Sequence, residues 1–214
     1  MQEQTYIYPP RTKLAVPRTQ CEIYSQKGWI AQYKYNDTRT LIKLRTNGRI
    51  ELWNRHAQRL IYNAPIPLQE QIQTLRETLP GYTLIDGGLL HNKHKAIKDT
   101  LVLWDIIILC NEYQTKPTYQ ERHQKLINMT TGPYYHNNIE IGRCITDNII
   151  VPSNHTQFTQ AWATVDRVNQ PYEQPLIEGI VMKDPNSRLK RATKPINNNE
   201  WMVRSRVTTG RHNF

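Results

Sequence analysis

The chain is predicted to fold as an α+β domain of two antiparallel β-sheets with flanking helices, on three observations. Short β-branched and aromatic runs surround an Asn47-Gly48 dipeptide, a long apolar run covers residues 99–109, and two stretches repeat apolar residues at helical spacing. Its 214 residues suffice for one domain with a sizeable core.

Along the chain, residues 1–28 set Pro9, Pro10 and Pro17 among Arg11, Lys13 and Arg18, the composition of a basic arm or an irregular edge. Residues 29–33 and 39–44 read as strands. Asn47-Gly48 predicts a type I′ hairpin, whose two central residues need positive φ, with a return strand through Ile50-Glu51-Leu52-Trp53. Residues 67–79 are predicted helical, with Leu68, Ile72 and Leu75 inward and Pro80-Gly81 as the stop. Strands follow at 82–91 and 99–109, the second apolar enough to be buried. Helices are expected at 119–129, with Leu126 and Ile127 inward, and at 156–168, with Phe158, Trp162 and Val165 inward. Strands at 176–183 and 200–207 complete the set, and Asn197-Asn198-Asn199 reads as a loop.

The formal charge is +10, from 28 Lys and Arg against 18 Asp and Glu. Such a surface favours a polyanionic partner, because neutralised phosphates release counterions. No apolar run nears the roughly 18 residues that span a bilayer, so no membrane partner is expected, and residues 1–10 lack a signal-peptide layout. Cys21, Cys110 and Cys144 are odd in number and lack zinc-site spacing, which points to free thiols in a reducing cytoplasm. His91 and His94 form a pair without a third ligand, so neither a zinc site nor a catalytic triad is expected.

Five segments in order carry the chemistry: Lys34-Tyr35-Asn36-Asp37-Thr38-Arg39, Asp86-Gly87-Gly88, Leu103-Trp104-Asp105, Glu178-Gly179-Ile180-Val181-Met182-Lys183 and Met202-Val203-Arg204-Ser205-Arg206. A lysine nucleophile needs cationic neighbours, metal or burial to shed its proton. A carboxylate ahead of a strand can hold a hard cation. Arginine forks suit phosphate.

Together these segments resemble the nucleotidyltransferase domain of the ATP-dependent DNA ligase, RNA ligase and messenger-RNA capping superfamily, in a minimal phage-like form. The resemblance covers about residues 29–206. It implies an ATP-grasp-like fold, a nucleotidyltransferase domain at 29–207 between the N-terminal segment 1–28 and a tail at 208–214, and no OB-fold domain after it. It implies Lys34 as the nucleophile that carries AMP. It also implies a nucleotide site of Gln32 facing the base, Arg39 near the ribose, Asp86, Trp104 stacked on the purine with Val181 opposite, and Lys183, Arg204 and Arg206 on the phosphates. Arg55, in Trp53-Asn54-Arg55, would contact a nucleic-acid 5′-phosphate, while Glu178 and Asp86 would hold a divalent cation, Mg or Mn. The expected protein is a monomeric ligase of DNA or RNA ends that uses ATP. The alternatives are guanylylation of messenger RNA with GTP and a non-catalytic nucleic-acid-binding module.

Five positions depart from the family pattern. Asn36 stands for Asp, Asp37 for Gly, and Gly88 for Glu, so the site is expected to be one carboxylate short and to need more divalent cation. The last segment has Arg204 and Arg206 where lysines are usual.

Overall fold

The computed structural model describes residues 6–207. In chain order these form β1 (Arg11–Ala15), a 3-10 turn (Arg18–Gln20), α1 (Glu22–Gln26), β2 (Ile30–Tyr35), β3 (Thr38–Leu44) and β4 (Ile50–Asn54). Next come α2 (Ile66–Thr78), β5 (Thr83–Leu90), β6 (Thr100–Leu109), β7 (Glu112–Tyr113), α3 (Tyr119–Ile127) and β8 (Gly132–His136). The remainder is β9 (Ile139–Thr146), β10 (Ile149–Val151), α4 (Phe158–Asn169), β11 (Ile177–Lys183) and β12 (Asn198–Arg206).

Two sheets result, as expected. A four-stranded sheet has the order β1-β12-β11-β2, and an eight-stranded one the order β4-β3-β5-β6-β10-β9-β8 with β7 paired to β6. Each is antiparallel except for one parallel pair, β1 with β12 and β10 with β6. Of the arm and the edge read into the N-terminal segment, the structure has the edge. β1 borders the small sheet, and Ile7, Val16 and Cys21 are buried in the cores. The segment 208–214 lies outside the described residues, and among those described no OB-fold barrel forms.

Alternation along β2 and β11 divides the small sheet into two faces. Tyr33, Tyr35, Ile180 and Met182 pack with Phe158, Trp162, Val165 and Val168 of α4, while Gln32, Lys34, Val181 and Lys183 line the cavity described below. A second apolar cluster joins Leu68, Ile72 and Leu75 of α2 to Ile42, Ile85 and Leu103 of the large sheet. Burying each such side chain contributes about 1.5–3 kcal/mol, so these faces hold the layers in place. Helix α3 starts on a capping box, Thr118 accepting from the Glu121 amide and Glu121 accepting from Thr118. Its inward residues are Tyr119, Arg122, His123 and Leu126, with Ile127 only half-buried.

Several local expectations are corrected. Asn47 does not take positive φ. Only Gly48 does, at 81°, and the Arg45 and Arg49 backbones close a longer hairpin loop. The two-residue turns with both φ positive are Cys110-Asn111, joining β6 to β7, and Asn137-Asn138, joining β8 to β9. Asn198 and Asn199 open β12 rather than forming a loop, because β1 offers them partners: Arg11 faces Asn198 and Thr12 faces Asn199.

Candidate active site between the sheets

Lys34 reaches the cleft from the end of β2 and donates a hydrogen bond to Glu178. Glu178 is an extra residue in β11. Ile177 faces Tyr35 and Gly179 faces Lys34, so the bulge turns the carboxylate onto the same face as Val181 and Lys183. Gly179 makes this possible. Its φ is 144°, and an added Cβ would lie 2.1 Å from the Ser205 carbonyl oxygen of β12. Arg206 comes within 3.6 Å of the same carboxylate.

Arg39 of β3 grips Asp86 of β5 with a two-toothed contact, Nε donating to Oδ1 at 3.0 Å and the second nitrogen to Oδ2. It also donates to the Pro10 carbonyl at 2.7 Å, and its guanidinium lies 5.7 Å from the Trp104 ring centre. Burial works against the charge on Arg39, but the adjoining Asp86 raises its pKa above the ordinary value. Both Asp86 oxygens are committed to Arg39, and among the described residues no three His, Cys, Asp or Glu side chains converge on one point.

Behind the cleft lies a buried polar network. The Gln32 amide donates to Asn154 at 3.0 Å, and its oxygen accepts from Lys183 at 2.7 Å. Lys183 donates also to the Tyr119 hydroxyl at 2.9 Å. Gln32 therefore has both of its polar ends engaged. It orients Lys183. Burial lowers Lys183 to about 7, a charge next to apolar walls being costly to keep. His123 is pushed down to about 4 by burial and by Lys183; its Nε2 lies 2.9 Å from the Pro152 carbonyl, which accepts a hydrogen bond from the ring N–H. Asp105, next to Trp104, holds the fully buried Arg122 through bonds of 2.7 and 2.9 Å. Asp105, Tyr119 and Arg122 are thus structural residues of the site. Sequence reasoning missed the last two, although their helical spacing on α3 was visible.

The space beside Gly88 is taken by Asp37. A Cβ at residue 88 would lie 2.4 Å from Asp37 Cγ and Oδ2, so the Asp37 side chain fills that space. Burial pushes the Asp37 carboxyl up to about 7, against the pull of Lys34. Lys93, which has no motif around it, donates to the Asp37 backbone carbonyl and adds a cation that the sequence did not flag.

These groups line one cavity of about 630 Å³, with β2, β11 and β12 on one side and β3, β5 and β6 on the other. That is the size range of a small-molecule site. Trp104 and Val181 are half-buried in its wall, Arg204 and Arg206 enter from β12, and Arg55 is exposed at the rim beside His56. All the residues expected at a nucleotide site are thereby brought together. Arg11, Lys34, Arg39, Arg55, Lys93, Lys183, Arg204 and Arg206 face Asp37, Asp86, Asp105 and Glu178, a cationic balance that suits a polyphosphate.

The two-sheet fold that brings Lys34, on the edge strand β2, to this cleft is shared with DNA ligase nucleotidyltransferase domains of known structure. The likeness is measurable against particular structures. The ligase domain of Mycobacterium tuberculosis LigD superposes with a TM-score of 0.57 at 14% identity, over 94% of this chain and 59% of that one. A mycobacterial DNA ligase D complexed with ATP gives 0.57 and 14%, over 95% and 61%. A Lig E DNA ligase, described as binding DNA with a minimal scaffold, gives 0.52 at 12% identity, over 92% and 68%. The chain thus spans about three fifths of the length of the ligase D structures. By sequence, neither a protein-family model nor a curated protein matches it.

Proposed function

We propose that this chain is the nucleotidyltransferase unit, residues 29–207, of an ATP-dependent polynucleotide ligase that joins a 5′-phosphate to a 3′-hydroxyl through lysyl-AMP. The observation that carries the reading is Lys34 against Glu178 in a cleft walled by arginines, in a fold shared with DNA ligase domains. ATP would lie with its purine between Trp104 and Val181, where stacking contributes roughly 1–3 kcal/mol whatever the base. Arg204, Arg206 and Lys183 would balance the phosphates.

Lys34 Nζ, once neutral, forms a bond to the α-phosphorus while the bond to the pyrophosphate oxygen breaks, and pyrophosphate leaves. Glu178, already in contact with Nζ, is placed to accept the amine proton. The 5′-phosphate of the acceptor, held by Arg55, then takes AMP from Lys34. A 3′-hydroxyl attacks that activated phosphate and releases AMP. Each step transfers a nucleotidyl or phosphoryl group, for which positioning and fixed charge supply most of the catalysis. A divalent cation, Mg or Mn, would enter with the triphosphate and neutralise its charge. Glu178, through the oxygen that Lys34 does not engage, and Asp86 would hold it.

Incubation with α-labelled ATP tests the reading. The protein should gain one AMP, and Lys34→Ala should abolish the adduct and all joining of ends that are not already adenylylated. Label that persists on another residue refutes the assignment. A parallel reaction with α-labelled GTP separates ligation from guanylylation, and no label from either nucleotide leaves the non-catalytic module.

A further inference from the structure

Three acids of the cleft have partners in the protein: Asp86 has Arg39, Asp105 has Arg122, and Glu178 has Lys34. Asp37 differs. It is 8% exposed, it lines the cavity, and its Oδ2 is buried with no hydrogen-bond partner. Buried polar atoms are almost always paired, so an orphan on the wall of a cleft calls for a partner that arrives. The carboxyl has room only because residue 88, across the β3–β5 pairing, carries no side chain: a Cβ there would sit 2.4 Å from Asp37 Cγ. A side chain at 88 would force the Asp37 carboxyl out of its present seat.

We propose that Asp37 and Gly88 are a matched pair, in which the Asp37 carboxyl, seated in the room left by Gly88, binds a hydroxyl of the nucleotide sugar. The inference rests on reading the cleft as a nucleotide site. A hydroxyl fits better than a cation, because Lys93 is hydrogen-bonded to the backbone carbonyl of Asp37 itself and Lys34 and Arg39 line the same wall, cations that outnumber the one neighbouring acid, Glu178. A hydroxyl is neutral, and it can donate to the carboxylate or accept from the protonated acid, whichever form the buried group takes.

The test compares binding of ATP and 2′,3′-dideoxy-ATP by calorimetry for the wild type, Asp37→Ala, Gly88→Glu and the double variant Asp37→Gly/Gly88→Glu. The wild type should prefer ATP by about tenfold. Asp37→Ala should lose that preference by weakening ATP alone, and it should still fold, since no hydrogen bond to Oδ2 is lost. Gly88→Glu should bind both nucleotides poorly because it collides with Asp37, whereas the double variant, with the acid moved across the pair, should recover the preference. Retention of the wild-type preference by Asp37→Ala overturns the proposal. So does loss of Mn²⁺ binding, measured with the metal alone, in an Asp37→Ala protein that still discriminates the sugars; Asp37 would then be a cation ligand. A wild type that binds neither nucleotide brings down the nucleotide-site reading itself, and a wild type that binds both equally removes only the role of Asp37.

Discussion

Replacing Lys183 by methionine should remove a pH dependence of stability that this one side chain creates. In the folded protein burial lowers the amine from 10.5 to about 7. Between these values the unfolded chain binds a proton that the folded chain does not, so wild-type stability should rise with pH across the window. The rise begins near pH 7 and is complete only above the unfolded value. A shift of this size corresponds to a gain on the order of 5 kcal/mol at about 1.4 kcal/mol per pH unit. Lys183→Met keeps the apolar stem and removes the titrating group. Its own cost is about 1–3 kcal/mol, from leaving the Gln32 oxygen without its donor, and that cost is independent of pH. Urea unfolding of both proteins at intervals from pH 6.5 to 10 gives the difference directly. Lys43, which burial lowers to about 8, titrates in the same window but is common to both proteins and cancels. The two stability curves should diverge progressively above pH 7, the wild type gaining. Parallel curves would show that Lys183 is not held near neutrality and would refute the burial argument.

Gly179→Ala should lower the melting temperature by about 6–12 °C. Strain at φ 144° plus the contact with Ser205 costs on the order of 3 kcal/mol, and a protein of this size loses roughly 2–4 °C per kcal/mol. A change within 2 °C would mean that the β11–β12 approach relaxes freely. Asp105→Ala should cost about 3–5 kcal/mol in chemical denaturation by stranding the buried Arg122, and adding Arg122→Met should recover most of the loss. Equal stability of the single and double variants would contradict the pairing. Asp37→Asn should change how stability depends on acid. Burial raises the folded acid from 3.8 to about 7, so the wild type loses stability relative to the variant as pH rises through that interval. Melting curves at pH 4.5 and 7.5 should show the variant gaining at the higher pH.

Much of the fold was legible locally. Helix α2 and helix α4 repeat apolar residues at the period of the backbone, and their inward sides, Leu68-Ile72-Leu75 and Phe158-Trp162-Val165, are buried as read. Strands β2, β3, β5, β6 and β11 showed in their β-branched and apolar runs, and the family resemblance carried by five ordered segments grouped Lys34 with Arg39, Asp86, Trp104, Glu178 and Lys183, which line one cavity. Strands β8 and β9 were not legible, because most of their residues are only half-buried or exposed, which blurs the alternation, and β10 is a three-residue apolar run too short to show a period. Nor were the parallel pairs of β1 with β12 and of β6 with β10, since pairing between distant segments leaves no local periodicity. The same physics divides the site. Residue types and spacing determined which groups carry charge and which could attack phosphorus. Only the tertiary structure decided which of them remain free, because Arg39 takes Asp86, Lys183 takes Gln32, and the side chain of Asp37 meets the empty place at Gly88 through strand pairing and close packing.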